Sequence, residues 1–126
     1  PQYTEAEIKM LKEARSYSDK VVDALVIKNN YEFIFHCFDK EIKEKFFKSD
    51  LQTCKDELKI LFGGLGIADK FSFTNQILSQ NKDVVTCYYS INYRMNSDDI
   101  RTVIQVYLKV SDNNFTLNGL QQQPIN

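Results

Sequence analysis

The stretch FIFHCFDKE, Phe33 to Glu41, carries the only histidine of the chain, His36, beside Cys37 and Asp39. A thiol, an imidazole and a carboxylate are the parts of a nucleophilic site, in which the base takes the thiol proton and the acid orients the base. Geometry decides whether they can meet. Apolar residues at Tyr31, Ile34, Phe35, Phe38, Ile42 and Phe46 predict one helix over residues 31–47. Successive residues on a helix turn by about 100°, so neighbours do not face each other. His36 therefore reaches Asp39 or Lys40, and Cys37 reaches Glu41. These are surface pairings, and no catalytic residue is expected. Phe33 and Phe47 fall on the back of the same helix around His36. Phe33, His36 and Phe47 are expected either to form a partner-facing patch or to lie under another element.

Other chemistries are poorly served. One histidine and the scattered cysteines Cys37, Cys54 and Cys87 have no zinc-ligand spacing. Asp98-Asp99 falls in a turn and Asp56-Glu57 on a charged helix, where solvated charge is the simpler reading. The glycines of GGLG, Gly63 to Gly66, follow a helix, whereas a phosphate cradle needs a helix start after them. No metal and no cofactor are expected. The three cysteines read as buried free thiols, or as one disulfide and a spare thiol in an exported protein.

At 126 residues the chain suits one domain, residues 1–126, with a real core. A net charge of −1 gives no field to attract nucleic acid, and no apolar run approaches the roughly 18 residues of a membrane span. Residues 1–70 carry 12 Lys/Arg and 13 Asp/Glu against 4 and 4 in residues 71–126. Charged helices are thus expected first and a polar-dressed sheet second. The chain begins at Pro1 without an initiator Met, so it reads as a processed product, with any targeting or lipid-attachment segment upstream.

The elements follow from pattern. Thr4 and Glu7 form a capping box ahead of a stripe of Ile8, Leu11, Ala14, Ser18, Val21, Val22 and Leu25. Asn29-Asn30 ends that helix. After the helix at 31–47, Ser49 and Gln52 open another, with apolar Leu51, Cys54, Leu58, Leu61 and Phe62, stopped at Gly63-Gly64. From Lys70 the period becomes two. Phe71, Phe73 and Ile77 share one face. So do Val85, Cys87, Tyr89, Ile91, Tyr93 and Met95, and so do Ile100, Ile104, Val106, Leu108 and Val110. NFTLNGL is a short last strand. Polar links SQNKD, NSDD and SDNN suit antiparallel hairpins. The fold class is α+β: N-terminal helices on a curved antiparallel sheet of three to four strands, a cone-shaped roll.

This order resembles the nuclear transport factor 2-like superfamily, the cystatin-like α+β roll. The resemblance rests on the long first helix, the turn-then-Tyr entry Asn29 to Ile34, Phe38-Asp39 with Lys43 to Phe47, the helix end Leu61 to Gly66, and the closing hairpin VYLKVSDNNFTLNGL, Val106 to Leu120. Phe115 stands where the family has tryptophan, and Leu120 where an aromatic often follows glycine. The chain looks like small bacterial exported or lipoprotein-type members. The resemblance implies a pocket between helices and sheet, and it implies no reaction, because this fold carries many functions.

Within such a cone Phe35, Phe38, Phe71, Phe73, Tyr89 and Tyr93 are the candidate lining, with Tyr107 also considered. They make either a filled aromatic core or a ligand pocket. The sheet's apolar face holds no His or acid, and tyrosine with an unperturbed pKa of about 10 is a poor general base near neutral pH. On the outer face Tyr88, Arg101, Val103 and Tyr107 are the candidate interface, through which homodimerisation is expected. The functional expectation is a non-catalytic exported accessory or protein-interaction domain, at the periplasm or cell surface, with the cytoplasm as the alternative. The alternative is a small-molecule-binding domain using the aromatic cone, and an isomerase- or dehydratase-type enzyme ranks last.

Overall fold

Helix α1, Glu5–Val22, starts on the predicted capping box. The Thr4 hydroxyl accepts the Glu7 N–H at 3.1 Å, and the Glu7 carboxylate accepts the Thr4 N–H at 2.9 Å. Leu11, Ala14, Ser18, Val21 and Val22 are buried. Ile8 is largely exposed, so the covered stripe begins one turn later than its apolar spacing implies. The helix then widens into a π-helical turn over Asp23–Ile27, where Ala24, Leu25 and Val26 are all buried. Three consecutive inward residues cannot share one face of an ordinary helix, so this turn is covered on more than one side. Part of the cover is Ala68, whose N–H donates to the Val26 carbonyl at 2.7 Å. A computed structural model provides this description, for residues 2–124.

The single helix expected over 31–47 is two helices. Helix α2 spans Tyr31–Cys37 and α3 spans Lys40–Phe47. Phe38 between them is extended, with ψ of 140°, and Asp39 caps α3 by accepting the Glu41 N–H at 3.2 Å. The break has a tertiary cause. Phe38 forms an isolated bridge to Leu117, and the Asp39 N–H donates to the Leu117 carbonyl at 2.8 Å. The helical phase restarts at Asp39, so Phe47 turns inward and Phe46 outward, the reverse of the expected stripe.

Helix α4, Leu51–Phe62, is capped by Asp50 and not by Ser49: the Asp50 carboxylate accepts the Thr53 N–H at 2.9 Å. Lys48 and Ser49 both have left-handed backbone, with φ of 51° and 55°, and this sharp link folds α4 back beside α3. Cys54, Leu58 and Phe62 are buried, whereas Leu61, expected on the same face, is exposed.

The four strands are β1 (Lys70–Leu78), β2 (Val84–Met95), β3 (Asp98–Ser111) and β4 (Asn114–Pro124). They form one antiparallel meander in the order β1-β2-β3-β4. Strand β4 is longer than the short strand expected. The β2–β3 and β3–β4 turns have positive φ at both central residues, Asn96-Ser97 and Asp112-Asn113, as tight right-twisting hairpins require. Bulges interrupt pairing at Thr74 in β1 and at Asn118 in β4. A bulge bends its strand and reverses the alternation beyond it. Leu78 is therefore buried while Ile77, expected inside, is half exposed. Met95 also stays exposed, at the hairpin end. The fold is α+β, with the helices on one face of the curved sheet. No helix of the described residues is long and apolar enough to cross a membrane.

Candidate functional site

The opening trio does not assemble. Cys37 is buried at the end of α2 and His36 is exposed, with its ring edge-on to Phe35 at 5.5 Å. Asp39 is occupied in capping α3, and its carboxylate also accepts from the Thr116 hydroxyl at 3.3 Å. Burial pushes the Cys37, Cys54 and Cys87 thiols up, Cys54 to about 11. The thiolate is the nucleophile, so all three are inert near neutral pH. All three are free. Among the described residues no cluster of three or more His, Cys, Asp or Glu could hold a metal ion.

Part of the predicted cone lining is packed ring on ring. Phe71 and Phe73 stand edge-on to Tyr89 at 5.8 and 5.6 Å, and Tyr89 and Tyr93 are fully buried. Phe35 and Phe38 are buried as well. Alternation along the strands puts no acid here, but α1 brings one. The Tyr89 hydroxyl donates to Asp19 Oδ1 at 2.5 Å. Arg15, one helical turn before Asp19, lies 4.1 Å over the Phe73 ring. Burial raises the Tyr89 pKa, and the Asp19 carboxylate raises it further. Tyr89 thus stays a neutral donor with no surface to offer a substrate, and the pair is a strut between α1 and β2. The sequence signal for Asp19 was its place beside Ser18, on the flank of the buried stripe of α1.

The patch expected around His36 is split by the helix break. Phe33 is partly exposed and lines a small groove with Lys20, Asp23, Lys28 and Asn30, enclosing about 240 Å³. Phe47 does not join it. It is buried against Phe38, with ring centroids 5.2 Å apart, because α3 restarts its phase at Asp39. On the outer sheet face Tyr88, Val103 and Tyr107 are half-buried and Arg101 is exposed. Tyr107 lies over Gly119 on the neighbouring strand, and its hydroxyl donates to Gln121 at 2.9 Å. Lys70, Arg101 and Lys109 of this face make no ion pair among the described residues, while Arg94 pairs with Asp99 at 3.4 Å.

A larger opening lies where none was expected. Helices α3 and α4 and the bulged part of β4 frame a groove of about 340 Å³. Its floor is Phe38, Phe47, Leu58, Phe62 and Leu120; Ile42 and Phe46 line it from α3, and Leu61 and Glu57 from α4. Asn118 and Gly119 come from the β4 bulge. Glu57 and Asn118 are its polar side chains. Phe46 is 58% exposed and Leu61 is 61% exposed. Large apolar side chains left in water beside an apolar groove cost solvation on both, and such contiguous patches mark contact sites. Phe38, Leu58 and Phe62 of the floor were legible as core, whereas Phe47 was expected on the back of its helix. The rim was not legible, since it depends on the phase of α3 after the break. Compared with known proteins, the chain matches no family model and no curated protein.

Proposed function

We propose that this chain is a non-catalytic protein-interaction domain that works through the apolar groove between α3, α4 and β4. The observation that carries the reading is the pairing of a mostly apolar groove with two exposed apolar side chains, Phe46 and Leu61, on its rim. Binding sites of small molecules enclose about 300–1,000 Å³ and bury most of the ligand. This groove is at the low end of that range and its rim residues stand in solvent, which favours a protein surface as occupant. Helices followed by a curved antiparallel meander are also what supports membership of the nuclear transport factor 2-like superfamily. An exported, envelope-associated accessory role belongs to the same proposal.

Pairing of two copies through the outer sheet is the competing mode of contact. The outer face carries Lys70, Arg101 and Lys109 without an ion pair among the described residues, so a two-fold contact there would have to place these cations away from one another. The groove lining holds one charged side chain, Glu57. The test is native-state binding of an apolar dye, anilinonaphthalene sulfonate, to the chain and to Leu61→Glu. Leu61 is exposed, so the variant keeps its melting temperature. Weak dye fluorescence in the parent that falls several-fold in the variant supports the groove. Equal fluorescence in both would remove it, and tight one-to-one saturation would move the account to a small-molecule site.

A further inference from the structure

We infer that the occupant of this groove is the groove face of a second copy of the chain, an inference that rests on the groove being the contact site. A two-fold contact places the same patch on both sides, so the patch must be complementary to itself. This one carries an apolar hollow and, on its rim, the exposed Phe46 and Leu61 that such a hollow would take. Charge is arranged the same way. The Lys45 ammonium lies 5.5 Å from the Phe46 ring, and Glu57 lines the groove from the α4 side. Neither Lys45 nor Glu57 makes an ion pair among the described residues. A two-fold axis that carries Phe46 into the other groove carries Lys45 with it toward the partner's Glu57. The symmetry makes that pair twice, at the rim of a desolvated apolar centre. Rim charges of opposite sign fix register in such contacts, and the centre supplies most of the affinity. Sedimentation from micromolar to millimolar concentration is the range in which such a contact is sought.

Sedimentation equilibrium of the full chain tests this with a charge exchange. The parent shows a monomer–dimer equilibrium. Lys45→Glu and Glu57→Lys each place like charges together and weaken it by about tenfold or more. The double variant Lys45→Glu/Glu57→Lys restores opposite charges and returns the dissociation constant to within about threefold of the parent. Both positions are exposed, and circular dichroism confirms that each variant is folded. A parent that is monomeric at millimolar concentration would overturn the inference. So would single variants without effect, or a double variant that stays as weak as the singles. A dimer lost on Val103→Glu but insensitive to the charge exchange would place pairing on the outer sheet and overturn it too. The groove reading is judged separately, by dye binding to the dilute Lys45→Glu monomer. Dye binding there with no parent dimer leaves the groove intact and removes only the second copy.

Discussion

Tyr93 has a fully buried ring, and its hydroxyl has no hydrogen-bond partner. An unpartnered buried hydroxyl carries a desolvation penalty of about 1–3 kcal/mol. Tyr93→Phe removes the hydroxyl and keeps the ring, so it stabilises the fold by about 1 kcal/mol near neutral pH, the lower end of that range. The pH dependence adds a second signature. Burial, with a smaller contribution from nearby Tyr31, raises the Tyr93 pKa from 10.0 to about 12. The folded-state value exceeds the unfolded one, so the contribution of the neutral phenol is fully present below pH 10 and is lost as pH rises through about 12. A shift of that size corresponds to about 3 kcal/mol. The advantage of the Phe variant should therefore widen between pH 10 and pH 12, toward roughly that additional amount. Urea unfolding followed by far-ultraviolet circular dichroism, in dilute solution, measures it. With slopes of about 1–3 kcal/mol/M the neutral-pH gain moves the midpoint by roughly half a molar. A variant less stable than the parent at pH 7, or an advantage that stays constant up to pH 11.5, would refute the reasoning.

Two further outcomes follow from the backbone. Asp39→Ala removes the cap of α3 and the contact with Thr116, and should cost about 0.5–2 kcal/mol in the same unfolding assay. Asp39→Asn, which keeps a capping oxygen, should recover most of that loss. Ser97 sits at φ of 74°, a left-handed backbone that costs a side-chain-bearing residue about 1–2 kcal/mol. Ser97→Gly should therefore raise the unfolding midpoint slightly, offset in part by the extra freedom of glycine in the unfolded chain.

What could be read from the sequence was local. The Thr4–Glu7 capping box needs only residues three apart, and both of its bonds are present. The alternation from Val85 to Tyr93 marks the inner face of β2 without error, because a central strand with regular pairing keeps its period. Errors begin where a distant partner decides. Asp39 reads as a helix-interior residue until Leu117 pairs with it, and that pairing sets the phase of α3. Phe46 and Phe47 then exchange places, which creates the groove rim and dissolves the patch expected at Phe33, His36 and Phe47. The Thr74 bulge turns Ile77 outward in the same way. The acid beside Tyr89 escaped strand alternation because it is supplied by α1. Of the six residues expected to line the cone, Phe71 and Phe73 pack edge-on to Tyr89, and Phe38 lines the groove at α3 and α4.

The most direct measurement is a comparison of backbone amide spectra of the chain at micromolar and at millimolar concentration. The account predicts concentration-dependent shifts confined to residues 42–47 of α3, residues 57–62 of α4 and residues 118–120 at the β4 bulge, and their loss in Lys45→Glu. Shifts centred on Tyr88, Val103 and Tyr107 of the outer sheet, or spectra that do not change with concentration, would contradict it.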